Sequence, residues 1–202
     1  MENQENYKKE KVTIDVVWAN IFGIILLIPI VLIYGLPYYL IWVEKNPFSD
    51  FTLNAFAING SILFLTMIIG IVAHELIHGL AWSIFARNGF KSIKFGVLWK
   101  IITPYCHCKE PLRVDHYITG AIMPAIILGL IPAIAAIFVG NFILLLFGMF
   151  LTLAACSDFL IIHALRKEKK DAYVEDHPSE AGCYVYRQVD KTENGNYAEN
   201  QT

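Results

Sequence analysis

Apolar and polar positions divide the chain into four long apolar blocks, roughly Val16–Trp42, Ala55–Phe85, Tyr117–Val139 and Phe142–Leu165. Each reaches or exceeds the ~20 residues that a helix needs to cross the hydrocarbon of a bilayer. Lipid offers a backbone no hydrogen-bond partners, so blocks of this length are predicted to be helices. Pro29, Pro37, Pro124 and Pro132 fall inside the blocks and are candidates for kinks. Gly140-Asn141, between the last two blocks, predicts a tight turn. The polar 86–116 loop carries a further pattern. Lys91–Leu98 alternates partly, and Cys106-His107-Cys108 suits a second strand, so a short β-hairpin is expected at the cytosolic mouth. The predicted fold class is therefore an all-α polytopic membrane protein with four transmembrane helices and that one hairpin. Its parts are an N-terminal segment (1–15), one membrane domain (16–165) and a polar tail (166–202).

Composition narrows the class. The chain is 56% hydrophobic and 17% charged, with a mean hydropathy of +0.49, which is too apolar for an ordinary soluble domain. A net charge of −2 gives no sign of a nucleic-acid partner. Four scattered cysteines are too few for a secreted disulfide framework. The first apolar run is far longer than the core of a signal peptide, and a retained span is expected.

Basic residues set the orientation. Lys8, Lys9 and Lys11 precede the first block, and Arg87, Lys91, Lys94, Lys100, Lys109 and Arg113 lie in the 86–116 loop. Arg166, Lys167, Lys169 and Lys170 follow the last block, whereas the other two loops hold only Lys45. Basic loops mark the cytoplasmic side, so both termini and the 86–116 loop are expected in the cytosol of a multi-pass plasma-membrane protein.

The ionisable groups inside the blocks, tyrosines and the Cys156 thiol apart, are His74, Glu75, His78, Asp158 and His163. Such groups are costly in lipid and are candidates for function. His74-Glu75-Leu76-Ile77-His78 is an HExxH pattern. At about 100° per residue, the two histidines fall roughly 40° apart on one helix face, where both can reach one metal ion. Glu75 lies beside them, placed to take a proton from water that the metal activates. A catalytic zinc needs a third protein ligand, and Asp158 is the candidate. His74 and His78 precede Arg87 by thirteen and nine residues, and Asp158 precedes Arg166 by eight. All three therefore sit about 12–20 Å from the same side of the membrane. His163, about 140° around the helix from Asp158, is expected to point elsewhere.

Weaker signals accompany these. Cys106-x-Cys108 without a second pair reads as reduced loop cysteines rather than zinc ligands. Asp176-His177-Pro178 reads as a turn rather than a ligand pair. Gly120–Pro124 offers small residues for close helix approach, although a broken helix there would also present backbone near the metal.

Together these residues resemble the site-2 protease class of intramembrane zinc metalloproteases. They resemble more closely a family of small four-span bacterial proteins labelled putative zincin peptidases. The similarity rests on His74-Glu75-x-x-His78-Gly79, Gly120-Ala-Ile-Met-Pro124 and Asp158, with Cys106–Leu112 and Asp176–Gly182 also matching the small family. It covers about residues 60–187. The resemblance implies His74, His78 and Asp158 as zinc ligands and Glu75 as general base. Phe159 stands where the site-2 pattern has glycine, and the 120–124 segment lacks that pattern's asparagine.

The expected function is a membrane-embedded zinc metallopeptidase acting on membrane or membrane-associated proteins or peptides. A water path should open at the 86–116 loop. The alternative is a non-catalytic membrane protein with a structural or regulatory metal site, whose fourth ligand would come from His163, His177 or a cysteine.

Overall fold

The computed structural model describes residues 7–45, 53–99, 103–170, 172–177 and 182–188. Lys100, the Pro178–Glu180 part of the tail motif and the tail after residue 188 lie outside the described residues.

The apolar blocks are helices. The first is α1 (Val16–Ile30), a π-helical stretch (Val31–Gly35) and α2 (Leu36–Trp42) in series. The second is the single helix α3 (Leu53–Phe85). The third is α4 (Val114–Pro124), a π-helical stretch (Ala125–Leu130) and α5 (Ile131–Val139), and the fourth is α6 (Phe142–Ala154) followed by α7 (Cys156–Leu165). Three of these helical runs are long and apolar enough to cross a membrane, or four if the bent pair α6 and α7 is one span. Their outward faces carry exposed Ile24, Ile28, Ile33, Leu40, Phe64, Ile84 and Phe138.

The prolines sit beside the π-helical stretches, where a wider turn absorbs the missing amide. The 43° bend lies elsewhere, at Ala155 between α6 and α7. The Gly140-Asn141 turn forms as the pattern predicts. Gly140 adopts a left-handed φ of 73° as the C-cap of α5, and the Asn141 side chain caps α6 by accepting from Leu144 N–H. Tyr38 donates to Gly140 O (2.9 Å) and Trp42 to Ile137 O (2.9 Å), so α2 clamps that turn. A Cβ on Gly148 would lie 2.7 Å from the Ala133 nitrogen, which is why α6 can press against the backbone of α5.

The chain is mostly helical, but the all-α expectation is corrected by two sheets. The predicted hairpin is present: β2 (Ile93–Leu98) pairs antiparallel with β3 (Thr103–Cys108), with Phe95 opposite Cys106. A four-stranded antiparallel sheet was not foreseen. It comprises β1 (Tyr7–Thr13), β4 (Leu112–Arg113), β5 (Tyr173–Asp176) and β6 (Gly182–Gln188), in the order β1-β6-β5-β4. β1 is Tyr-Lys-Lys-Glu-Lys-Val-Thr, with little apolar alternation to announce a strand. It is held by pairing with a segment more than 160 residues away, Lys11 opposite Tyr184. The inner sheet face, including Val174, Cys183 and Val185, packs in one core with Leu165, Val114 and Trp82. That core lies at the end of the bundle where the basic segments gather.

Candidate metal centre

α3 positions the two histidines. His74 and His78, one turn apart, are 5% and 4% exposed, and their rings meet edge to face with centroids 4.8 Å apart. Asp158 reaches them from the first turn of α7, just beyond the bend at Ala155. The break gives α7 a fresh N-terminus at this depth, whose free amides favour a carboxylate. His74 Nε2 lies 3.1 Å from Asp158 Oδ2 and 3.1 Å from His78 Nε2, and His78 Nε2 lies 3.5 Å from Asp158 Oδ1.

These separations allow a test of fit. Donors bound tetrahedrally to zinc at ~2.0–2.1 Å stand about 3.3 Å apart, the spacing found here. Two neutral nitrogens and one carboxylate oxygen also form a donor set of the kind zinc takes. Among the described residues, no other group of three or more His, Cys, Asp or Glu side chains converges closely enough to hold a metal, and no fourth joins this one.

His78 is oriented from its far side. Its Nδ1 donates to Gly120 O at 3.0 Å, which leaves Nε2 as the lone-pair nitrogen aimed at Asp158. Its ring stacks on Trp82 (5.0 Å, 14°), and Trp82 stacks on Tyr117 (5.1 Å, 20°) while donating from Nε1 to Tyr117 O at 3.0 Å. His74 has no such support: its Nδ1 is buried without a hydrogen-bond partner among the described residues.

Glu75 is half-buried beside the cluster. β3 passes beside it, with the Cys106 backbone amide among the groups that act on its carboxylate. Two residues on, the Cys108 N–H donates to Asp176 Oδ2 at 2.8 Å. Both amides lie on the β3 edge turned away from β2, so that edge runs along two carboxylates. The hairpin comes this close because Gly79 follows His78; a Cβ there would strike the Phe95 ring and stand 2.9 Å from Ile93 Cγ2.

Asp176 is a feature that sequence reasoning treated as a turn. It accepts from Tyr117 Oη at 2.5 Å as well as from Cys108 N–H, and His107 Nδ1 stands 3.7 Å away. Burial raises its pKa above the usual carboxylate value, against the opposing pull of the Tyr117 hydrogen bond. Burial likewise pushes the Cys106 thiol up, the Cys108 thiol to about 11 and the Cys183 thiol to about 12. All four cysteines are free. These thiols are protonated at neutral pH, and none belongs to the metal cluster.

The other candidates lie apart. His163 is exposed with Nδ1 3.2 Å from Arg166, pointing away as its helical angle predicts. His177 packs against Tyr184 with ring centroids 4.9 Å apart, and its N–H bonds Gly182 O across the end of the β5–β6 pair.

The chain belongs to a family described as putative zincin peptidases, whose model matches residues 67–173, a span that holds His74, Glu75, His78 and Asp158. That description implies a metallopeptidase and a zinc ion. No curated protein and no solved structure matches the chain.

Proposed function

We propose that the protein is a membrane-embedded zinc metallopeptidase that hydrolyses peptide bonds of membrane or membrane-associated proteins. The observation that carries the reading is three donors from two helices, 3.1–3.5 Å apart, with a glutamate beside them and no fourth ligand among the described residues. A structural zinc site is closed by four protein ligands, whereas a catalytic one has three. His74, His78 and Asp158 would hold the ion. A zinc ion there would supply Lewis acidity and bring the pKa of water towards ~7.

The chain's own residues account for the rest. Glu75 takes the proton from the attacking water and returns it to the leaving amine. The Cys106 amide of β3, beside the Glu75 carboxylate, favours its charged form for that transfer. Trp82 and the Gly120 carbonyl keep the His78 ring from turning. The apolar outer faces of the helices support a bilayer setting. The basic segments support a cytosolic position for the two sheets, with substrate and water entering on that side.

The test is paired. Glu75→Gln is expected to keep about one zinc per chain while lowering cleavage of a candidate membrane substrate by about 10²–10⁴. Asp158→Ala is expected to lose zinc itself, because it removes a ligand. Full activity in Glu75→Gln, or full zinc occupancy in Asp158→Ala, would defeat the assignment.

A further inference from the structure

We propose that Pro124 is a positioning residue of the metal centre, freeing from the helix ladder the Gly120 carbonyl that orients His78. In an α-helix the carbonyl of residue 120 is claimed by the amide of residue 124. Here that residue is proline, which has no N–H. The next amide, Ala125 N–H, turns to Ile122 O. The Gly120 carbonyl is left to a partner outside its own helix, and His78 Nδ1 takes it at 3.0 Å.

The glycine is as much a part of the device as the proline. A Cβ on Gly120 would fall on the Trp82 indole. Its absence lets Trp82 lie against α4, where the ring donates to Tyr117 O and stacks on His78. Two carbonyls of α4, three residues apart, thus receive two side chains of α3, four residues apart. The Tyr117 carbonyl can share itself with the Ala121 amide, because it has two lone pairs. The Gly120 carbonyl faces no such competition, and it holds the ring whose nitrogen must stay aimed at the metal.

Among the described residues only His78 is fixed in this way, since the Nδ1 of His74 finds no partner there. One ligand is therefore set in tautomer and direction before any ion arrives, and partners of this kind govern metal affinity. This inference rests on the metal-centre part of the proposed function and is independent of whether the protein cleaves peptides.

The experiment compares purified full-length wild type, Pro124→Ala and the control Pro132→Ala in detergent, by zinc titration against a chromophoric chelator. Pro124→Ala restores an amide at position 124 that competes for the Gly120 carbonyl, and a several-fold weaker zinc affinity is expected, below the ~10–100-fold found when such a partner is lost outright. Its zinc-free melting temperature should stay level or rise, because alanine suits a helix better than proline. Pro132→Ala, farther along the same helical run, should bind zinc as wild type does. In parallel, ¹⁵N-histidine spectra of zinc-free wild type should show His78 with its proton on Nδ1. Wild-type affinity in Pro124→Ala, equal weakening in Pro132→Ala, or the Nε2–H tautomer of His78 would each overturn the inference. A wild type that binds no zinc would defeat the metal reading, and the histidine spectra would still decide this one.

Discussion

Tyr117→Phe should destabilise the protein by an amount that grows with pH. Phenylalanine keeps the ring that stacks on Trp82 and removes only the hydroxyl that donates to Asp176 at 2.5 Å. A hydrogen bond is worth about 0.5–1.5 kcal/mol to a neutral group and about 1.5–3 kcal/mol to a charged one, so for a chain of this size the melting temperature should fall by roughly 1–6 °C where Asp176 is protonated and roughly 3–12 °C where it is ionised. The sign of the pH dependence follows from Asp176. Its folded pKa is raised by burial, so the folded state holds more protons than the unfolded state from the ordinary carboxylate value of 3.8 up to the folded pKa. Stability falls as pH rises across that window. The Tyr117 hydrogen bond lowers the folded pKa, so deleting it extends the window upward and deepens the loss. Wild type and variant are to be melted in detergent at mildly acidic, neutral and mildly alkaline pH. A deficit that is the same throughout, or that shrinks as pH rises, would refute the reasoning.

Gly79→Ala places a methyl group where the Phe95 and Ile93 side chains now sit, and the expected response is that the hairpin shifts off α3 and its β3 edge moves away from Glu75. Turnover should drop by about tenfold or more, up to the ~10²–10⁴ that a general base contributes, while zinc content stays at the wild-type level; loss of zinc in step with activity would contradict this. Reporter fusions ending at Lys100 and at Lys170 should both report the cytosol, and one ending at Gly140 the opposite side. Exterior signal from either lysine fusion would reject the orientation.

The helical blocks were legible because their length leaves no alternative, and the HExxH face because two residues four apart always share a side of a helix. Asp158 was legible from depth, although the bend at Ala155 that presents it had no proline to mark it. The four-stranded sheet was hidden for a physical reason. β1 is rich in lysine, β4 is two residues long, and the pairing that makes both into strands is remote in sequence. Asp176 looked like a turn residue because its burial depends on that sheet. The role of Gly120 could have been read: a proline four residues on always releases a carbonyl, and the remaining question was only which donor would find it.

The pairing of β1 with β6 has a consequence for synthesis. β1 leaves the ribosome well before its hydrogen-bond partner, which lies more than 160 residues further along the chain. Until Gly182–Gln188 emerges, β1 lacks its partner and β5 has one edge open, the kind of exposed template on which chains associate wrongly. Asp176 itself lies in β5, and β5 is paired to β4 by only two residues before β6 arrives. A growing chain can thus have all the helices of the bundle, with His74, His78 and Asp158 already made, while the strand that braces the β3 edge is still unsecured. On the proposed function, competence would arrive with β6, and a chain that lacks it would stay idle.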